Sequence, residues 1–317
     1  MKNAVISGTG SYLPERELTN KELETMLDTS DEWILTRTGI SSRHIAAAHE
    51  TTSFMAGKAA KQALESSGLA ADEIDLIVVA TCTPDHFFPS MACHVQHALQ
   101  ITRPIPAFDI GAACSGFVYA MDLARQYISA GNARHVLVVG SESMSRAVDW
   151  NDRSTCVLFG DGAGALVLSA KEEQGIIGSV LHSSYDEGSL LTYATHNSDG
   201  SRPLIGMRGN EVFKIAVNIM GEIVDEVLEQ SNLQKSDIKW LVPHQANIRI
   251  IQAIAKKLSL PMSQVIVTIK HQGNTSAASI PLALDYSIRE KRIKRGDLLL
   301  LESFGGGMTW GAMVIRY

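Results

Sequence analysis

The stretch A63-LESSGLAADEIDLIVVA-T81 carries, in nineteen residues, the end of an amphipathic helix, a short polar link and a buried apolar strand, and the same script returns as V227-LEQSNLQKSDIKWLVPH-Q245. Leu69 pairs with Leu233, Ile74 with Ile238 and Ile77 with Leu241, each at an offset of 164 positions. Self-similarity at one fixed offset is the mark of a repeated structural unit. The order continues downstream. Cys114 precedes the apolar stretch 115–131, whose Phe117, Met121, Ala124 and Ile128 recur at helical spacing, and HVLVVGS (135–141) reads as a buried strand. Asn274 precedes 275–296, followed by the strand DLLLLES (297–303). Both passages then reach a Gly-rich run, GDGAGALVLSA from Gly160 and FGGGMTWGAMVIRY from Phe304. Helices alternating with buried strands predict a layered α/β architecture, and the echo predicts two similar halves, 1–172 and 173–317, meeting at KEEQG (171–175). The Ser-, Asn-, Asp- and Gly-rich stretch 183–201 is expected to be a loop that folds over a site.

With 45% apolar and 20% charged residues, the chain of 317 has the balance of a globular protein able to bury a large core. A formal net charge of −6 argues against nonspecific nucleic-acid binding, which requires a basic surface. No apolar run reaches membrane-spanning length and the first fifteen residues lack the apolar core of a signal peptide, so a cytoplasmic protein without membrane attachment is expected. Cys82, Cys93, Cys114 and Cys156 form no CxxC pair and read as reduced thiols. The cluster Cys82, His86, Cys93, His94 and His97 fits no zinc spacing, and SMACHVQHALQ (90–100) reads as a helix, so no metal is expected. GDGAG (160–164) lacks the Lys-Ser/Thr of a P-loop and SGTGSYL (7–13) lacks the third glycine of a dinucleotide fingerprint; both are read as turns.

Three residues stand out for chemistry. Cys114, in DIGAACSGF (109–117), is placed between a strand and a helix start, where unpaired N–H groups and the positive helix end favour a thiolate. His244 follows the strand Trp240–Val242, at the carboxyl edge where ligands bind in layered α/β folds. Asn274, in GNTSAAS (273–279), is an N-cap candidate whose place in the echo corresponds to that of Cys114. If the halves share a pseudo-twofold axis, all three converge.

DIGAACSGF, VPHQAN, GNTSAAS and FGGG, in this order and spacing, together with TSDEWILTRTGI (29–40), resemble the Cys-His-Asn condensing enzymes of the thiolase superfamily, above all the β-ketoacyl-acyl carrier protein synthase III family. The likeness runs over essentially the whole chain. It implies a thiolase-like α-β-α-β-α core in a homodimer, and an enzyme that joins a short acyl-CoA, acetyl-CoA, to malonyl-acyl carrier protein. Cys114 would carry the acyl group, His244 and Asn274 would hold the malonyl thioester carbonyl during loss of CO2, and the N–H groups of Cys114 and Gly306 would form an oxyanion hole. The resemblance also assigns Trp33, Arg37 and Arg153 to CoA, with Ser154 standing where the family commonly has glycine. It sends Phe88 into a neighbouring subunit's acyl pocket, and gives Lys214, Arg249, Lys256 and Lys257 to the acyl carrier protein. No cofactor is implied. The rival readings are a relative that passes the acyl group from Cys114 to another acceptor, and a non-catalytic partner on the same fold; the joint presence of Cys114, His244 and Asn274 speaks against the latter.

Overall fold

The computed structural model describes residues 2–317. Two sheets form its frame. The first runs Asn3–Tyr12, Asp161–Lys171, His135–Ser143, Leu76–Ala80, Ala107–Ile110, the first two junctions antiparallel and the last two parallel. The second runs Ile176–Ser183, Thr309–Arg316, Leu298–Gly305, Trp240–Pro243, again two antiparallel junctions followed by a parallel one. Its fifth strand survives as a single parallel bridge between Leu241 and Val265. Equivalent registers match as well: Leu76 faces Val136 in the first sheet and Trp240 faces Leu299 in the second. The repeat seen in the sequence is therefore a repeat of topology.

Alternation along the strands sorts side chains into layers. Leu76, Val78 and Ala80 of the first sheet and Leu299 and Leu301 of the second point inward, onto the helices Gly116–Ser129 and Ser279–Arg289 between the sheets. Phe117, Met121, Ala124 and Ile128 are all buried there, as their spacing predicts. Ile77 and Val79 point the other way, onto the helix Thr52–Ser67, while Leu298 and Leu300 face the helices Gly209–Gln230 and Ile248–Lys257. The result is the α-β-α-β-α sandwich. Among the described residues no helix is long and apolar enough to cross a membrane.

Two sequence expectations are corrected here. SGTGSYL and GDGAG are not turns; they lie in adjacent strands that pair with each other, Ser11 opposite Gly164. Their glycines exist because helices lie on them. A Cβ at Gly10 would meet the Ala59 carbonyl oxygen at 2.3 Å, and one at Gly164 would meet the Leu282 nitrogen at 2.6 Å. Arg43 is a second unannounced feature, a fully buried guanidinium donating to the Leu18 and Val157 carbonyls and to Asn20. Burial pushes it down to about 10, and it ties the N-terminal hairpin to the segment leading into the site.

Candidate active site

Cys114 sits in a tight 3-10 turn, Ala113–Ser115, immediately before the central helix Gly116–Ser129. Ala113 takes the left-handed conformation (φ 45°) that turns the chain sharply from strand to helix. The turn is held from the opposite half: Ser303 donates to the Cys114 carbonyl (2.7 Å), Thr309 donates to the Ala112 carbonyl (2.9 Å), and Ser115 donates to the Thr309 carbonyl (2.9 Å). Gly305 passes so close that a Cβ would lie 2.7 Å from the Cys114 nitrogen. Gly305→Ala should therefore displace the nucleophile turn. We expect Cys114 alkylation and acylation to fall at least about tenfold with secondary structure retained by circular dichroism, the scale of effect that small misplacements of reacting groups produce.

The equivalent turn in the second half is Ser276–Ala278, whose Ser276 is also left-handed (φ 50°), and which precedes the helix Ser279–Arg289. Cys114 thus corresponds to Ala277. The expected equivalence of Cys114 and Asn274 is wrong by three residues, because the turn and not the asparagine is the repeated element. Asn274 lies just before it, pinned by backbone bonds to Leu158 and Gly160. Its Oδ1 accepts from the Ser276 N–H (2.9 Å), so the amide's two donors face away from that turn.

His244 extends the strand Trp240–Pro243, its N–H bonded to the Glu302 carbonyl (2.8 Å). Nδ1 lies 2.7 Å from the Ser279 hydroxyl, and that hydroxyl oxygen also accepts from the Gln245 N–H (3.3 Å). In the tautomer in which this hydroxyl donates to Nδ1, the ring proton sits on Nε2. Burial lowers the imidazole to about 4, so it is neutral at physiological pH.

Cys114, His244, Asn274 and Gly306 line one cavity of about 920 Å³. The helix-start argument for a thiolate is overruled. Burial, with a smaller contribution from the Glu142 carboxylate, pushes the Cys114 thiol up to about 11 against the opposing pull of the Ser276 hydroxyl. At the mouth, Arg37 and Arg153 both stack on Trp33, their guanidinium carbons 5.1 and 5.3 Å from its ring centroid. Ser154 turns its N–H and hydroxyl onto Asp152. The helix Asp31–Thr38 carrying Trp33 and Arg37 packs on the helix Ile248–Lys257, with Asn247 donating to the Arg37 carbonyl. Lys214, Arg249, Lys256 and Lys257 are all exposed. Arg249 covers the Phe213 ring (5.6 Å) at the cavity wall, and Lys257 is engaged by the Asn218 carbonyl (3.0 Å). Phe88 is 87% exposed and is not among the lining of its own chain's cavity, which Phe87 joins instead. As expected, the loop after residue 183 covers the cavity: Leu191 to Thr195 line it, joined just beyond the expected stretch by Arg202, Pro203 and Ile205. Among the described residues no three His, Cys, Asp or Glu side chains group as a metal site.

Residue reasoning on the sequence passed over Tyr193 and Arg202 in that loop, Ser279 behind His244, and Glu142 behind Cys114. Only Glu142 left a trace, as an acid within a buried apolar strand.

The C-terminal model of 3-oxoacyl-[acyl-carrier-protein] synthase III matches residues 228–317, and the companion 3-oxoacyl-[acyl-carrier-protein] synthase III model matches residues 108–184. The chain belongs to the 3-oxoacyl-[acyl-carrier-protein] synthase III family. It is 57% identical over 316 residues to the β-ketoacyl-[acyl-carrier-protein] synthase III of Methylococcus capsulatus, covering 98% of each chain, and 57% identical over 314 residues to that of Thiobacillus denitrificans, again covering 98% of each. The crystal structure of 3-oxoacyl-[acyl-carrier-protein] synthase III from Aquifex aeolicus superposes with a TM-score of 0.94 at 49% identity, covering all of both chains. Synthases of this family are acyl-transferring condensing enzymes, and this chain is one of them; the thiolase-like fold described above is theirs.

Proposed function

We propose that this enzyme takes a short acyl group, acetyl, from CoA onto Cys114 and condenses it with malonyl-acyl carrier protein, releasing CO2 and a β-ketoacyl-carrier product that begins fatty acid synthesis. The observation that carries the reading is the placement of two neutral donors in one cavity with a half-buried thiol. Loss of CO2 from a malonyl thioester leaves an enolate whose oxygen needs N–H partners, and Nε2–H of His244 with the Asn274 amide supplies them without an acid strong enough to quench the carbanion. The carbanion then attacks acyl-Cys114, while the N–H groups of Cys114 and Gly306 receive the oxyanion. No cofactor takes part in this scheme. Trp33 with Arg37 and Arg153 holds the adenine and phosphates of CoA, Arg153 shifting off the ring to admit the base.

The protein works in the cytoplasm as a homodimer of two-half subunits, 1–172 and 173–317. Support for the dimer comes from the adjacent, exposed Phe87 and Phe88, a poor surface for a monomer and a fit for a neighbouring acyl pocket. Incubation with radiolabelled acyl-CoAs of graded length, followed by peptide mapping, tests the first half-reaction: label on Cys114 supports it and ranks the primers, whereas label on another cysteine refutes it.

Lys214, Arg249, Lys256 and Lys257 form the face for the acidic carrier, with Arg249 at the cavity wall as its inner edge. Arg249→Glu with Lys256→Glu should raise KM for malonyl-carrier protein at least about tenfold and leave KM for malonyl-CoA nearly unchanged, the gap closing with added salt as exposed charges are screened over about 10 Å. Equal losses for both donors would move these residues from docking to the cavity.

A further inference from the structure

The Cys114 thiol must lose a proton to attack a thioester, and the side chains around it limit where that proton can go. In the tautomer that the proposed decarboxylation uses, with Nδ1 engaged by Ser279 and the proton on Nε2, His244 is closed to it. The Asn274 amide is no base. Beneath Cys114, however, lies a fully buried carboxylate, Glu142, near the end of the strand His135–Ser143. It receives the hydroxyls of Thr83 (2.5 Å), Thr81 (3.2 Å) and Ser276 (3.0 Å), the Cys82 N–H (3.1 Å) and the Cys82 thiol (3.2 Å). None of these partners is cationic. The other titratable groups facing the pair are Cys82, which lies 3.8 Å from the Ser276 hydroxyl, and Tyr193 of the covering loop, itself near Arg202. Ser276 stands between the two sites: its turn packs against the Ala113–Ser115 turn, it lines the same cavity as Cys114, and its hydroxyl donates to Glu142 Oε1.

The geometry points to Glu142 as the acceptor of the Cys114 proton, with the Ser276 hydroxyl relaying it. This rests on the condensing-enzyme reading above. On acylation the Cys114 S–H bond breaks as its proton moves to Ser276 Oγ, and the Ser276 proton moves to Glu142 Oε1. The sulfur bonds to the acyl carbon, and coenzyme A departs as a thiolate that solvent protonates. On condensation the acyl–sulfur bond breaks and the released Cys114 thiolate regains its proton along the same path. One solvent proton is taken up per turnover, which balances the carboxylate lost as CO2. The relay also answers an electrostatic difficulty: a thiolate beside an ionised, buried Glu142 would place two negative charges together at low dielectric, whereas the transferred proton neutralises one as the other forms.

The test compares wild type, Glu142→Gln and Ser276→Ala. The serine variant keeps the backbone N–H that orients Asn274, and it carries the test alone if the buried Glu142→Gln fails to fold. Single-turnover acylation at neutral pH should fall about 10²- to 10⁴-fold in both. Log rate should then climb with a slope of one against pH as hydroxide replaces the lost acceptor, while malonyl decarboxylation stays within about threefold. Alkylation of Cys114 by iodoacetamide, which needs no acyl-CoA, should show the same change of pH profile. Unchanged profiles in the folded variants, or faster alkylation in Glu142→Gln, would overturn the relay, the latter because Glu142 would then act only by suppressing the thiolate. If wild type takes no acyl group from any acyl-CoA, the condensing reading fails, and the alkylation profiles still decide the proton route.

Discussion

Cys114→Ala is expected to form no acyl-enzyme and to lose condensation by about 10⁴-fold or more, the order that follows removal of a covalent nucleophile. The fold should be untouched, because nothing that holds the turn uses the sulfur. Ser303 grips the Cys114 carbonyl, Thr309 grips that of Ala112, and Gly305 packs beneath the Cys114 nitrogen. Decarboxylation of the malonyl donor should persist, since His244 is set by Ser279 and Asn274 by the Ser276 backbone, neither of which depends on Cys114. Intact-protein mass spectrometry for the acyl adduct and CO2 release from malonyl-carrier protein separate the two half-reactions. A variant that condenses at a rate near wild type would remove Cys114 from the mechanism.

His244→Ala should do the converse: acylation within a few fold of wild type, decarboxylation down about 10²- to 10³-fold, the usual effect of deleting one oxyanion-type donor. Asn274→Ala should behave alike. The pH dependence carries its own sign. Burial holds the imidazole at about 4, so its neutral, donating form is complete at pH 7 and begins to give way only as pH falls towards that value. Decarboxylation by wild type should accordingly stay level from neutrality down to about pH 5, with no inflection near the ordinary histidine value. Loss of acylation with decarboxylation preserved in His244→Ala would reverse the assigned roles.

Much of this architecture could be read from the chain because it rests on periodicity. The stripe Phe117, Met121, Ala124, Ile128 and the run Leu76–Ala80 each specify an element and a buried face, and the repeat at 164 positions relates the two sheets. Motif order marked out Cys114, His244 and Asn274, which line one cavity. What escaped depends on contacts between elements distant in sequence. Gly10 and Gly164 look like turn glycines until the helices lying on them are known. The state of the Cys114 thiol turned on burial and on a neighbouring carboxylate, and a helix start alone predicted the opposite direction. Asn274 was aligned with the wrong member of the repeat because a left-handed serine two residues later, and not the asparagine, marks the equivalent turn.

The two left-handed turns at the molecular centre, one bearing Cys114 and the other Ala277, bear on how such a chain could have arisen. In a duplicated ancestor with identical halves the two turns would have been equivalent, whereas now only the earlier one carries a thiol and the later one carries Ala277. Since Ser303, Gly305 and Thr309 of the later half now support the cysteine of the earlier one, the earlier half cannot hold its nucleophile turn in this way without the later one.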